Sequence, residues 1–138
     1  DLLAMYERCS ADTRYRRWHG HASTFPAAYL RDIVTESTGH IAVAARRDGL
    51  LVGFASAAAI SADIREIGIL VEDEWQHRGV GRELLSALLD RCAGLGARYL
   101  RAEVLSADAG VLELLRRLGP TTTGLSHGVI TAVVRLWA

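Results

Sequence analysis

Apolar residues recur along this chain in blocks whose periods separate helices from strands. Leu2, Leu3, Met5, Tyr6 and Cys9 fall at helical spacing, which predicts an opening helix that ends near Ser10. An Arg-aromatic run, Arg14-Tyr15-Arg16-Arg17-Trp18, follows it. The Gly, His, Ser and Pro of residues 19–26 then read as a loop before a short second helix over 27–34. Strand-length apolar runs occupy 41–45 and 51–60, and the Asp48-Gly49 step between them is a hairpin signal. Residues 64–71 form a third predicted strand, with Ile67, Ile69 and Val71 on one face and Glu66, Gly68 and Leu70 on the other. Val80, Leu84, Leu85, Leu88, Leu89 and Cys92 share one side of an amphipathic helix that Gly94 and Gly96 stop. Residues 97–105 return to strand, 108–118 to a helix closed by Gly119-Pro120, and 128–136 make a final strand rich in Val, Ile and Thr. Strand, helix and strand in succession imply a parallel pair with a right-handed crossover. The expected fold is therefore α/β, a mixed sheet in one domain over 1–138 with no internal repeat or linker.

Composition narrows the chemistry. Of 138 residues, 50% are hydrophobic and 23% charged, enough apolar side chain for a compact core without disulfides or structural metal. Sixteen basic and sixteen acidic residues cancel, which argues against a general nucleic-acid or anionic-membrane binder, since those rely on an excess of cations. All sixteen basic residues are Arg; there is no Lys and no Asn, and the one Gln is Gln76. Cys9 and Cys92 lie far apart and outside any CxxC or Cys/His cluster, so reduced thiols are expected rather than a zinc site or a disulfide scaffold. The longest apolar run, 50–60, is broken by Gly53 and Ser56 and is too short to cross a bilayer. These features predict a soluble cytoplasmic protein. The opening at Asp1, with no secretory pattern, predicts a trimmed start with sequence missing upstream.

One motif carries chemistry. Gln76-His77-Arg78-Gly79-Val80-Gly81-Arg82 lies between the third predicted strand and the Leu-rich helix. Two glycines at i and i+2 of a helix start let backbone amides approach a ligand closely, and with the helix dipole they make an anion site. Arg78 and Arg82 add fixed charge suited to a phosphate. The same glycines also suit a tight strand-to-helix turn, and spacing alone leaves both readings open. The Walker pattern and the third glycine of the dinucleotide fingerprint are absent.

Gln-x-x-Gly-x-Gly, after a strand ending Ile-Leu-Val and before a Leu-rich helix, resembles the acetyl-coenzyme A loop of the GNAT superfamily of N-acetyltransferases. The order of predicted elements follows that family over nearly the whole chain, except that the family's first strand, which precedes the opening helix, is missing. The resemblance therefore implies a GNAT-like, mostly antiparallel sheet with a central parallel strand-helix-strand unit and helices on both faces. Residues 9–18 (CSADTRYRRW) and 103–112 (EVLSADAGVL), followed by Arg116-Arg117-Leu118-Gly119, further resemble the acetyltransferase domain of bacterial Pat-type protein-lysine acetyltransferases. That pattern usually has Asn at position 108, touching the cofactor, where this chain has Asp108. Many GNAT enzymes also place a Tyr acid near residue 115, and Leu115 stands here.

The resemblance implies roles residue by residue. Acetyl-coenzyme A is the cosubstrate, with no metal. Its pantetheine arm pairs with backbone groups of Ile69 and Val71, and an N–H near Leu70 or Val71 polarises the thioester carbonyl. Gln76, His77, Arg78, Gly79, Val80, Gly81 and Arg82 hold the pyrophosphate. Glu66 is the base that deprotonates the acceptor amine, with Gly68 leaving room beside it; the plainer alternative is a strand carboxylate paired with Arg65 or Arg101. His19, His21, His40, His77 and His127 are alternative bases, of which His19 and His21 fall in the loop that covers the acceptor in this family. The run Glu72-Asp73-Glu74 is either a lure for a cationic acceptor or a solvated turn, and Trp18, Trp75 and Trp137 are packing residues. The implied acceptor is a primary amine, a protein lysine or a small molecule; a weakly catalytic acyl-coenzyme A-binding regulator is the alternative. No nucleic acid or membrane partner is expected, and the chain is expected to be a monomer or homodimer. Without Lys, it has none of its own to modify.

Overall fold

The computed structural model describes residues 2–18, 39–105 and 109–136. Two short helices, α1 (Leu2–Arg8) and α2 (Ala11–Trp18), precede a first run of strands, β1 (His40–Arg47), β2 (Leu50–Ala59) and β3 (Ile64–Val71). A 3-10 turn (Asp73–Trp75) leads to α3 (Val80–Gly94), β4 (Tyr99–Leu105), α4 (Ala109–Arg116), β5 (Thr121–Ser126) and β6 (Val129–Arg135). The six strands form one sheet in the order β1-β2-β3-β4-β6-β5. Every neighbouring pair is antiparallel except β3 and β4. α1 and α2 pack on one face, where Met5, Tyr6 and Cys9 meet Leu51, Phe54 and Leu70. α3 and α4 cover the other, where Leu84, Leu85, Leu88 and Leu115 join Ile67, Leu100 and Val134 in the main core. Among the described residues no helix is long and apolar enough to cross a membrane.

Both tight hairpins follow from turn chemistry. Asp48 and Gly49 adopt φ of 52° and 80°, and His127 and Gly128 adopt 51° and 78°. Paired left-handed residues of this kind match the twist of the strands they join.

Two elements depart from the sequence expectation. α2 is a helix where the sequence suggests only an Arg-aromatic run, because the apolar positions Ala11 and Tyr15 are exposed and mark no buried face. Its stability comes from caps: Ser10 Oγ accepts the Thr13 N–H at 3.1 Å, satisfying an open amide of the first turn. Arg14 donates to the Tyr6 and Glu7 carbonyls at the end of α1, at 2.8 and 3.1 Å, and its guanidinium lies 4.7 Å from the Tyr6 ring centre. β5 was missed because it is exposed along almost its whole length and lacks the half-buried alternation that marks a strand; backbone pairing with β6 holds it. The helix expected over 27–34 lies outside the described residues, as do Trp137 and the side chain of Trp18. Trp75 packs against the main core.

Candidate active site

The parallel pairing of β3 with β4 covers only Ile64–Tyr99, Arg65–Leu100 and Glu66–Arg101. Beyond Glu66 the two strands part, while β2 stays paired with β3 as far as Val71. A cleft of about 840 Å³ opens at this splay, lined both by Ile67, Ile69 and Val71 of β3 and by Ala102, Glu103 and Val104 of β4. Its lining also includes Thr13, Arg16 and Arg17 from α2 on one face and Leu114 and Arg117 from the α4 side on the other, so the cleft passes through the sheet.

Strand alternation decides which backbone groups face it. The Glu72 N–H donates to the Val52 carbonyl at 2.8 Å. Two and four residues back, Leu70 and Gly68 therefore also direct their groups to β2, while those of Ile67, Ile69 and Val71 point to the open edge. Leu70 lines the cleft, but its N–H serves the β2 ladder; of the two donors the sequence offered for a thioester carbonyl, Val71 is the one that faces the gap.

The loop after β3 is shaped by backbone conformation. Gly79 caps α3 with φ of 89°, a left-handed geometry that favours glycine, and His77 is left-handed as well at 60°. The Glu83 N–H bonds the Gly79 carbonyl at 3.1 Å. The amides of Val80, Gly81 and Arg82 precede that first helical bond and form the positive end of a 15-residue helix. A Cβ on Gly81 would meet Ile69 Cδ1 only at 3.6 Å and Leu114 Cδ2 at 4.0 Å. A Cβ would make only ordinary van der Waals contacts there, so protein packing does not require glycine, and the bare terminus is a cradle that fits a pyrophosphate.

The predicted site residues divide on this frame. Glu66, Ile69, Leu70, Val71, Gln76, His77, Gly79, Gly81 and Arg82 all line the cleft. Val80 is 1% exposed, its side chain in the core, so only its backbone is on offer. Arg78 is not in the lining: its guanidinium stacks on Trp75, 5.0 Å from the ring centre. Asp108 lies outside the described residues, as do His19 and His21. Of the described histidines only His77 borders the cleft. Arg117, just past the end of α4, does so too and was not singled out from the sequence; the Arg116-Arg117 pair was its signal.

Gln76 has a role of its own. Its Nε2 donates to the Val71 carbonyl and to Thr13 Oγ1, both at 3.0 Å. Both amide hydrogens are then in use and only Oε1 remains, an acceptor that cannot bind phosphate oxygens. Gln76 braces the end of β3 against α2. Thr13, 5% exposed, joins Ser10, which donates from Oγ and N to the Asp73 carboxylate at 2.7 and 2.8 Å. Partial burial pushes the Asp73 pKa up, but the hydrogen bonds from Ser10 and Thr13 outweigh this and hold it below its ordinary value. Beside it Glu72 is 7% exposed and pairs with Arg8 at 3.1 Å. The acidic run is thus neither a lure nor merely a solvated turn; Glu72 and Asp73 clasp the α1–α2 corner to the cofactor loop.

On the α2 side of the cleft, Glu66 pairs with Arg101, which also holds Glu103 at 3.1 Å, while Arg65 donates instead to the Gly39 carbonyl at 3.0 Å. Ser56 and Ala58 lie opposite Gly68 and Glu66 on β2 and give this limb a floor of small residues. The space over Gly68 contains the guanidinium of Arg17: a Cβ on Gly68 would overlap it, with Arg17 Nε 2.9 Å away. Leu115 is 1% exposed and belongs to the core. Burial first, then the carboxylates of Asp73 and Glu72, push the Cys9 thiol up to about 11, and burial raises Cys92 as well. Both stay protonated at neutral pH and neither borders the cleft. Among the described residues no group of three His, Cys, Asp or Glu is arranged to hold a metal ion.

A splayed parallel pair with a glycine-capped helix end at its mouth is the arrangement the motif implied, and residues 3–119 match the acetyltransferase (GNAT) family. The chain belongs to the GNAT family. N-alpha-acetyltransferase RimI of Mycobacterium tuberculosis is 35% identical over 106 residues, 72% of this chain and 63% of that protein. This GNAT chain thus spans under two thirds of that relative's length. The GNAT domain of S. lividans PAT superposes with a TM-score of 0.87 at 24% identity, covering 98% of this chain and 83% of that one. A phosphinothricin acetyltransferase from Sinorhizobium meliloti, solved in complex with acetyl-CoA, gives 0.68 at 24%, covering 99% and 85%. At these identities the structural matches speak to the fold.

Proposed function

We propose that this chain transfers the acetyl group of acetyl-CoA to a primary amine by direct attack, in a cytoplasmic setting. The observation that carries the reading is the splay itself, which sets a Val71 N–H directed away from β2 and the open α3 terminus on one side of a single cleft and Glu66 on the other. Acetyl-CoA supplies a thioester whose carbonyl carbon the amine attacks. The amides of Gly81 and Arg82, with the Arg82 side chain, hold the pyrophosphate, and Arg117 lies within the same cleft for a further phosphate. The Val71 N–H donates to the carbonyl oxygen as charge develops on it. Glu66 accepts the ammonium proton, so that the nitrogen lone pair forms the new C–N bond as the C–S bond breaks, and the departing coenzyme A thiolate takes up the second nitrogen proton and leaves as the thiol. Both buried thiols are protonated and remote, which supports direct transfer over a cysteine intermediate.

The acceptor in this reading is an amine on another protein, a lysine or an N-terminus. Its support is the resemblance to Pat-type enzymes and the name of the M. tuberculosis relative, an N-alpha-acetyltransferase. The Arg101 pair on Glu66 favours a second reading, an acyl-coenzyme A-binding regulator with a neutralised carboxylate. Glu66→Gln separates them. As base, Glu66 is worth roughly 100-fold or more in kcat, with acetyl-CoA binding by calorimetry unchanged. Unaltered turnover sinks the base role, and no coenzyme A release from the wild-type chain with any amine favours the regulator.

A further inference from the structure

We infer that Gln76 and Thr13 are positioning residues that hold the Val71 N–H for the carbonyl of the acyl donor, a role that rests on the transfer reading above and acts through the backbone.

A strand inside a sheet is held along both edges by its neighbours, and β3 loses one of them where β4 parts from it after Glu66. From there on the ladder with β2 holds it along one edge, and the backbone groups of Val71 face the gap. A donor that stabilises charge in a transition state has to be fixed beforehand, since turning it during the reaction opposes the stabilisation it gives. Gln76 takes the place of the missing neighbour at this residue. Its Nε2 donates to the Val71 carbonyl at 3.0 Å from the gap side. The N–H of the same peptide, that of Glu72, donates to the Val52 carbonyl at 2.8 Å on the β2 side. The peptide joining Val71 to Glu72 is thus pinned at both ends. The preceding peptide directs the Leu70 carbonyl to β2, so the planes on both sides of Val71 are fixed. With its carbonyl engaged, Val71 turns its N–H to a ligand in the gap, which suits an acceptor oxygen such as that of a thioester.

The Gln76 amide is locked in one orientation by a chain that ends on a charge. Ser10 and Asp73 surround the Thr13 hydroxyl, and the hydrogen bond it gives Asp73 is one of those that hold that carboxyl below its ordinary value. With its hydrogen committed there, Thr13 Oγ1 accepts the second Gln76 hydrogen at 3.0 Å. The Val71 carbonyl is likewise an acceptor, so a flipped amide would set Oε1 against two oxygens, and one orientation alone satisfies the site. Ser10 keeps Thr13 in place, since its Oγ accepts the Thr13 N–H at 3.1 Å and donates to Asp73 at 2.7 Å. Capping a strand end takes one donor on one carbonyl. Here a buried hydroxyl, from a helix 63 positions away in sequence, is recruited to aim that donor.

Difference infrared spectroscopy of carbonyl-labelled acetyl-CoA on the full chain tests this, alongside kinetics. The thioester carbonyl stretch is expected at lower frequency bound than free, because a hydrogen bond from Val71 polarises it. Gln76→Met keeps the length of the side chain and removes both donors. It should return the band most of the way to its free position and lower kcat by about 10-fold, with acetyl-CoA affinity by calorimetry little changed, because the phosphates sit on the α3 terminus. Thr13→Val leaves the Val71 bond but frees the amide to turn, and should move the band part of the way; Thr13→Ser should put it back. This pair decides alone where Gln76→Met does not fold. A brace with only a structural role would lower the melting temperature or the affinity and leave the band in place. That result overturns the inference, and so does a wild-type chain whose bound band is not shifted. The band needs no acceptor, which keeps the two readings apart. A Gln76-dependent band without coenzyme A release from any amine defeats the transfer reading and leaves the positioning role standing; turnover with a band indifferent to Gln76 does the reverse.

Discussion

In the proposed reading, the limb of the cleft that takes the cofactor is made of backbone, and the limb that takes the acceptor is made of side chains. On the α3 side the functional groups are the Val71 N–H and the amides of the first helical turn, with Gly79 and Gly81 serving by what they lack. On the α2 side they are side chains, among them Glu66, paired with Arg101 of β4, and Arg17, which reaches β3 from α2. Backbone sites tolerate variation in their neighbours because the amide is the same in every residue. Side-chain sites are where a family can change its acceptor without changing its fold. Thr13 and Gln76 join the two limbs, since the same amide that braces Val71 holds the helix that carries Arg17.

The strongest way to break the contrast is Gly81→Glu. A Cβ makes only ordinary contacts at this position, and the rest of the side chain puts bulk and negative charge over the helix terminus. Acetyl-CoA affinity by calorimetry should fall by about 100-fold or more, because an anion site is turned into a repulsive one, with the melting temperature little changed. Retained binding would mean that the glycines serve only the turn. A smaller effect tests the joint. Thr13→Val removes the hydroxyl but not the shape and leaves one Gln76 hydrogen without its partner; kcat/KM should fall by roughly 3- to 10-fold. Thr13→Ser should restore it, whereas a purely steric role would make Val the better replacement. The smallest expected effect concerns the clasp. The Asp73 pKa is lowered in the folded chain, so its contribution to stability is complete above the ordinary value of 3.8 and is lost as pH falls through the folded value. Asp73→Asn should flatten that acid limb in a thermal-melt series, and an unchanged limb would remove Asp73 from the account.

Legibility followed the same division. The β1–β2 hairpin, the β3 face assignment, the α3 stripe and the glycine loop all rest on local periodicity or turn chemistry, and the structure matches them. α2 was unreadable because Ala11 and Tyr15 stay exposed, and Ser10, Asp73 and Arg14 contacts hold the helix in place. β5 was unreadable because only a neighbouring strand makes it one. Within the site, strand parity put Glu66 and Gly68 on one face and the family resemblance gave Glu66 its role; the choice of Arg101 over Arg65 as its partner, and Arg17 as the occupant over Gly68, belong to tertiary structure.

The sequence by itself determined where the backbone turns, which faces are buried and that a helix begins at a glycine-flanked terminus, because these depend on residues a few positions apart. Tertiary structure alone decided that β3 parts from β4 after Glu66, that Gln76 is a brace rather than a phosphate ligand, and that α2 delivers Arg17 to Gly68. Those outcomes join groups up to 63 positions apart, as Gln76 and Thr13 are, and no local period encodes which pairs of distant side chains will meet.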